Sequence, residues 1–184
     1  MKALTHRDRL EDCLGGETDD RPPVALWRHF PVDDQQPGTL AQAVLNFQRT
    51  YDFDFVKVTP ASSFCLRDWG ATDSWQGATE GTRSYTHRVI QSPEDWFTLP
   101  VLDPYRGSLA DQLACLNLLV SELQPEGVPV LQTIFSPLSQ AKNLVGGEAL
   151  LVHLRQHPDA VKAGLKAITE STLRFLDAAL RTGI

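Results

Sequence analysis

The chain has 184 residues, 42% of them hydrophobic and 22% charged, which suits one ordinary globular domain and excludes an intrinsically disordered chain. Its formal net charge is −6 and its 17 Lys and Arg are scattered, which removes the electrostatic footing for a nucleic-acid partner. The apolar runs over 115–120 and 146–154 fall far short of the ~20 residues that span a bilayer. No secretory apolar stretch follows Met1-Lys2-Ala3-Leu4, and Cys13, Cys65 and Cys115 form no CxxC pair, so a cytoplasmic protein with reduced thiols and no membrane association is expected.

Thr5 caps a predicted helix over 5–14, with Leu10, Cys13 and Leu14 on one side and Gly15-Gly16 as its stop. After a turn-rich, acidic stretch over 17–21, Pro22-Pro23-Val24-Ala25-Leu26-Trp27 is an apolar run of strand length and reads as the first strand. Its loop over 28–38 holds Pro31, Asp33, Asp34 and Pro37; Thr39 then caps a helix whose Leu40, Val44, Phe47 and Tyr51 recur at helical spacing. Phe53-Asp54-Phe55-Val56-Lys57-Val58 is the second strand. An insertion over about 61–100 follows, rich in aromatic residues, with Ser84-Tyr85-Thr86-His87-Arg88-Val89-Ile90 as a β-hairpin arm. A strongly apolar helix over 111–123 leads to a third strand over 128–134, then a loop with a short helix over 135–147 and another helix over 148–156. A long helix over 157–182 starts at Pro158, turns Val161, Leu165, Ile168, Leu173 and Leu176 inward and stops at Gly183. A fourth strand is expected where the chain ends, so the sequence reads as the first half of a larger α/β fold.

Strands alternating with helices call for a parallel sheet, either doubly wound or closed into a (β/α)8 TIM barrel. A doubly wound nucleotide binder carries a Gly-rich turn after its first strand, whereas Arg28-His29-Phe30-Pro31 offers no phosphate cradle, which favours the barrel. Barrel active sites lie at the C-terminal ends of the strands, here Arg28-His29-Phe30, Thr59-Pro60-Ala61-Ser62-Ser63 and Phe135-Ser136-Pro137-Leu138-Ser139. Arg28 either grips a substrate carboxylate in a bidentate fork or pairs with Asp33 or Asp34. His29 is a candidate proton donor or metal ligand, set against a structural role because no second His or Cys stands at ligand spacing. Lys57 either points into the barrel or snorkels to solvent.

Ser62, Ser63, Ser136 and Ser139 lie outside any G-x-S-x-G elbow and read as loop-capping hydroxyls. His153 and His157 are four apart without the HExxH pattern of a zinc site, so His157-Pro158-Asp159 reads as a helix start. Asp68-Trp69-Gly70 and Trp75 either wall a pocket for a planar ligand or pack the insertion into a mini-core.

Several segments in order resemble the uroporphyrinogen decarboxylase superfamily, which also holds the methylcobamide:coenzyme M methyltransferases. They are the N-terminal helix leading through Gly16-Glu17-Thr18-Asp19-Asp20-Arg21-Pro22-Pro23-Val24 to Arg28; Tyr51-Asp52-Phe53-Asp54-Phe55-Val56-Lys57-Val58; Phe135-Ser136-Pro137-Leu138-Ser139 leading to Leu144-Val145-Gly146-Gly147; and His157-Pro158-Asp159. The resemblance implies the N-terminal half of a TIM barrel, completed by a missing C-terminal half or by self-association as a homodimer. In the decarboxylases an Arg-Gln-Ala-Gly-Arg-Tyr loop holds substrate carboxylates, and only Arg28 of Arg28-His29-Phe30 matches it. Their aspartate after the second strand corresponds to Thr59-Pro60-Ala61-Ser62, which holds no carboxylate, and their tyrosine after the third strand falls near Asn143. Substrate-binding roles are therefore implied for Arg28, Phe30, Thr59, Ser62, Ser136 and Asn143, with a catalytic role for His29. The departures point away from porphyrinogen decarboxylation and toward a divergent, methyltransferase-like member acting on a tetrapyrrole, a small molecule or a corrinoid protein; the alternatives are a true uroporphyrinogen decarboxylase and a non-catalytic tetrapyrrole-binding or half-barrel assembly protein. The methyltransferase branch implies zinc and a corrinoid, with zinc ligands beyond Ile184; the decarboxylase branch implies no cofactor.

Overall fold

A computed structural model describes residues 4–17 and 20–184. The chain divides into two compact units, Met1–Pro60 with Gln112–Thr133 and Ala179–Ile184, and Ala61–Asp111 with Ile134–Ala178. The fold is α/β, and no helix among the described residues is long and apolar enough to cross a membrane.

The first unit opens with α1 (His6–Gly15), which follows its sequence signals closely. Thr5 Oγ1 accepts from the Asp8 N–H at 3.1 Å while Asp8 Oδ2 accepts from the Thr5 N–H at 3.0 Å, and Gly16 closes the helix at φ 77°. Helix α2 (Pro37–Tyr51) starts two residues before Thr39. Pro37 pre-sets the first turn, so Thr39 does not cap it and donates instead to the Asp33 and Gln36 carbonyls. The expected first strand does not form. Pro22 and Pro23 have no N–H, the Val24 N–H donates to the Asp54 side chain at 2.7 Å, and only the Asp54 N–H to Val24 carbonyl bond, at 2.9 Å, resembles a ladder.

The second and third expected strands form as short segments, β1 (Val56–Val58) and β4 (Val130–Gln132), which pair in parallel with Val56 opposite Val130 and Val58 opposite Gln132. Pro129, without an N–H, delays β4. Beyond it Thr133 Oγ1 donates to the Val58 carbonyl at 2.7 Å, putting a hydroxyl where a ladder N–H would stand.

The second unit holds the aromatic insertion. Here β2 (Thr72–Trp75) and β3 (Arg83–His87) pair antiparallel, with Asp73 opposite Tyr85. Helix α3 (Gly107–Leu123), whose later part belongs to the first unit, starts four residues before the predicted Asp111. Asp68, some forty residues upstream, accepts from the Ser108 and Leu109 N–H groups at 2.8 and 3.1 Å and so caps it remotely. Helices α4 (Pro137–Val145), α5 (Gly147–Gln156) and α6 (Pro158–Leu180) complete the chain. On α6 Val161, Ile168 and Phe175 are buried and define the inward stripe; Leu173 and Leu176 lie off it, 55% and 38% exposed, against the expectation that they face inward. Gly164 is on that stripe because an added Cβ would stand 2.3 Å from the fully buried Trp96 ring.

Candidate functional site

The C-terminal end of the β1–β4 pair is built in the first unit. The segment over 26–30 runs beside β1 and is fixed there by Thr59, whose Oγ1 donates to the Arg28 carbonyl at 2.5 Å. Thr59 is buried, so its hydroxyl holds the backbone and leaves the Arg28 side chain exposed. Arg28 does not pair with Asp33 or Asp34. Its guanidinium lies over the Phe30 ring, 5.3 Å from the centroid, and its Nε donates to the His29 carbonyl at 3.4 Å. His29 is half-buried beside it and Phe30 packs edge-on against Phe47 at 6.0 Å. Lys57 neither disappears into a core nor reaches bulk solvent: its ammonium sits 4.2 Å from the centre of the Trp27 ring, and Trp27 is half exposed.

The other expected site residues lie in the second unit. Ser62 neighbours the Tyr85 hydroxyl, whose pKa burial pushes up to about 12, with Cys65 and Asp73 adding to the shift. Ser136 caps α4, accepting from the Ser139 N–H at 3.2 Å. The Asn143 carbonyl accepts from the Arg88 guanidinium at 2.5 Å, and Arg88 lies over the Tyr85 ring at 4.8 Å. Trp69 lines a small apolar pocket with Phe64, Phe135 and Phe175, whereas Trp75 donates to the Ala78 carbonyl in the hairpin turn and takes no part. The pocket's Gln140 and Ser171 are already engaged: Gln140 donates to the Phe135 carbonyl and to Thr172, and Ser171 accepts from the Leu102 N–H. His153 is buried, its Nδ1 meeting the Trp96 N–H at 2.9 Å, which fits a structural role.

Two groups escaped the sequence reading. The Asp54 carboxylate is 1% exposed and gathers Arg21 at 2.5 and 2.9 Å, Arg9 at 2.7 Å, the Val24 N–H at 2.7 Å and His6 at 3.2 Å. Burial alone would raise its pKa, but these bonds, Arg21 first, outweigh burial and hold it well below the usual carboxylate range. Asp54 precedes β1, at the opposite end of the strand from Thr59. The second group is Gln48 on α2, buried and half-satisfied. Only its position amid Val44, Leu45 and Phe47 could have flagged it.

Among the described residues no three His, Cys, Asp or Glu side chains gather to hold a metal. Cys65 and Cys115 are buried, and burial pushes both thiols up to about 12, away from the thiolate a metal needs. The described residues therefore do not fit a zinc centre.

The parallel β1–β4 pair, with cations and aromatic rings flanking its C-terminal end, defines an α/β domain. The profile of the uroporphyrinogen decarboxylase (URO-D) family matches residues 5–184, and the chain belongs to that family. Among solved structures it is similar to a methyltransferase from Methanosarcina mazei, at 19% identity and a TM-score of 0.81 over 98% of this chain. The chain spans 57% of the length of that structure. No curated protein matches.

Proposed function

We propose that this chain forms the N-terminal part of a cytoplasmic (β/α)8 barrel that acts on a tetrapyrrole- or corrinoid-related substrate, nearer to methyl transfer than to porphyrinogen decarboxylation. The observation that carries it is Arg28: exposed at the C-terminal end of the strands, its backbone held by Thr59, its guanidinium on Phe30 and in no ion pair among the described residues. Such a guanidinium is free to take a substrate carboxylate. Phe30 supplies the surface beneath it and His29 stands ready to exchange a proton with bound substrate. The similarity to the Methanosarcina mazei methyltransferase supports the choice of branch, as does the lack of any carboxylate in Thr59-Pro60-Ala61-Ser62 for pyrrole N–H groups.

A second reading, a barrel completed by a partner half or a second copy, is favoured by Leu131, 45% exposed on β4 directly opposite Lys57 on β1. Parallel sheets bury both faces, so this face calls for a cover. The test is an absorbance titration of the protein with uroporphyrin, a planar polycarboxylate, and with hydroxocobalamin. Binding of either is expected, with Arg28→Ala weakening uroporphyrin about tenfold. Absence of both, or an unchanged Arg28→Ala variant, sinks the proposal.

A further inference from the structure

In the second unit a buried histidine faces a donor that cannot accept. Trp96 stands on the short 3-10 helix Pro93–Phe97 and is 1% exposed; its indole N–H donates to Nδ1 of the buried His153 on α5 at 2.9 Å. An indole nitrogen only donates, so the bond requires a bare Nδ1 and a neutral imidazole whose one proton is on Nε2. A second proton on that ring goes to Nδ1. There it sets two N–H groups against each other and removes the acceptor of the buried indole.

The surroundings do nothing to offset that added charge. The ring's other recorded contact is His157, edge-on with centroids 6.0 Å apart, itself a base that takes up positive charge in acid. On the 3-10 helix Asp95 is turned to its own N-terminal end, where it accepts from the Gln91 and Ser92 N–H groups at 2.8 and 2.7 Å, and Glu94 is exposed. Glu148 and Arg155 on α5 are exposed, as are Asp159, Lys162 and Lys166 on α6, and none of these groups bonds to His153. A charge taken out of water without a partner is costly.

The indole has no room to yield. Behind it stands Gly164 of α6, where even an added Cβ would come within 2.3 Å of the Trp96 ring. The stretch that carries Trp96 is tied at both ends, by the Ile90 N–H to the Leu144 carbonyl at 3.1 Å and by the Leu102 N–H to Ser171 Oγ at 2.9 Å, and Trp96 pins the middle. We propose that Trp96 and His153 form an acid-released latch: in neutral solution the imidazole holds the indole, and protonation at Nδ1 breaks the bond and frees the Pro93–Phe97 turn from α5. The released and unfolded chains take up that proton more readily than the latched one, so the contribution of the latch is present in neutral solution and is lost as pH falls.

The test is a pH titration of the whole chain between roughly pH 8 and 5, read by nitrogen-15 NMR and by thermal unfolding. The His153 ring is expected to show a bare Nδ1 at the alkaline end and two protonated nitrogens at the acid end, with the Trp96 indole proton shifting in the same step. His153→Asn places an amide oxygen near the Nδ1 position, able to accept from the indole but unable to take a proton. Over that range the unaltered protein should lose about 3 °C more in melting temperature than His153→Asn. The other histidines are common to both proteins, so the difference isolates His153. A ring already protonated on Nδ1 at the alkaline end overturns the inference, as does a ring that stays neutral throughout, an indole proton that ignores the titration, or equal losses in the two proteins. If His153→Asn does not fold, the NMR titration of the unaltered protein decides alone.

Discussion

Within one unit, the residues just before β1 and those flanking its C-terminal end treat their cations in opposite ways. Before the strand, Arg9 and Arg21 converge on the buried Asp54, and Arg9 also holds Asp20 through two bonds of 2.8 and 3.1 Å. Around the other end, Arg28 and Lys57 stand on Phe30 and Trp27. The first arrangement saturates every acceptor and ties α1 to the sheet. The second leaves N–H groups unsatisfied by carboxylates, at the end where the proposed function puts the substrate. Burial does not draw this contrast, since Thr59 and Gln48 are buried beside the exposed cations.

The sharpest way to break this contrast is Asp54→Ala. It removes the buried acceptor shared by Arg9, Arg21, His6 and the Val24 N–H, leaving Arg9 with Asp20 alone, and should cost about 3 kcal/mol in urea unfolding followed by circular dichroism. The pH dependence follows from the same carboxylate. Its folded pKa is depressed, so its contribution is present above the unfolded value of about 4 and is lost as pH falls below it. The unaltered protein should therefore lose stability between pH 5 and 2, roughly, with a steeper slope than Asp54→Ala.

Next in size is Asp68→Ala, which removes the remote cap of α3 and should cost about 0.5–2 kcal/mol by the same assay. Arg28→Ala and Lys57→Ala should leave the unfolding midpoint where it is, while Arg28→Ala weakens uroporphyrin binding; a large loss of stability in either would place these cations with Asp54 on the structural side. The smallest change is chemical: at pH 8 iodoacetamide should label the exposed Cys13 rapidly and leave Cys65 and Cys115 unmodified, read by intact mass.

Local signals in the sequence served well where a residue's neighbours in the chain are its neighbours in space. Thr5, Asp8 and Gly16 bound α1 as their types predict, and the alternation of strands and helices announced a parallel pair. Signals failed where a distant side chain decided the outcome. Asp68 starts α3 from some forty residues upstream, and Asp54 takes the Val24 N–H that would have begun a strand. The inward stripe of α6 was misjudged because Leu173 and Leu176 look more hydrophobic than the Gly164 that actually faces Trp96.

For the candidate site, strand-end position drew attention to Arg28 but left open a pairing with Asp33 or Asp34, and the Phe30 ring beneath its guanidinium was not legible. The Lys57 contact with Trp27 joins residues 30 apart, and the spare oxygen of Gln48 depends on how its amide is turned toward Phe53.

Trp27 is the sole tryptophan in Met1–Pro60, Gln112–Thr133 and Ala179–Ile184; Trp69, Trp75 and Trp96 all belong to the other unit. Replacing those three with phenylalanine would leave a protein whose entire indole fluorescence comes from a ring that carries Lys57 on its face. The chain thus contains its own optical probe of the strand end, able to report a displaced ammonium or local opening without any label.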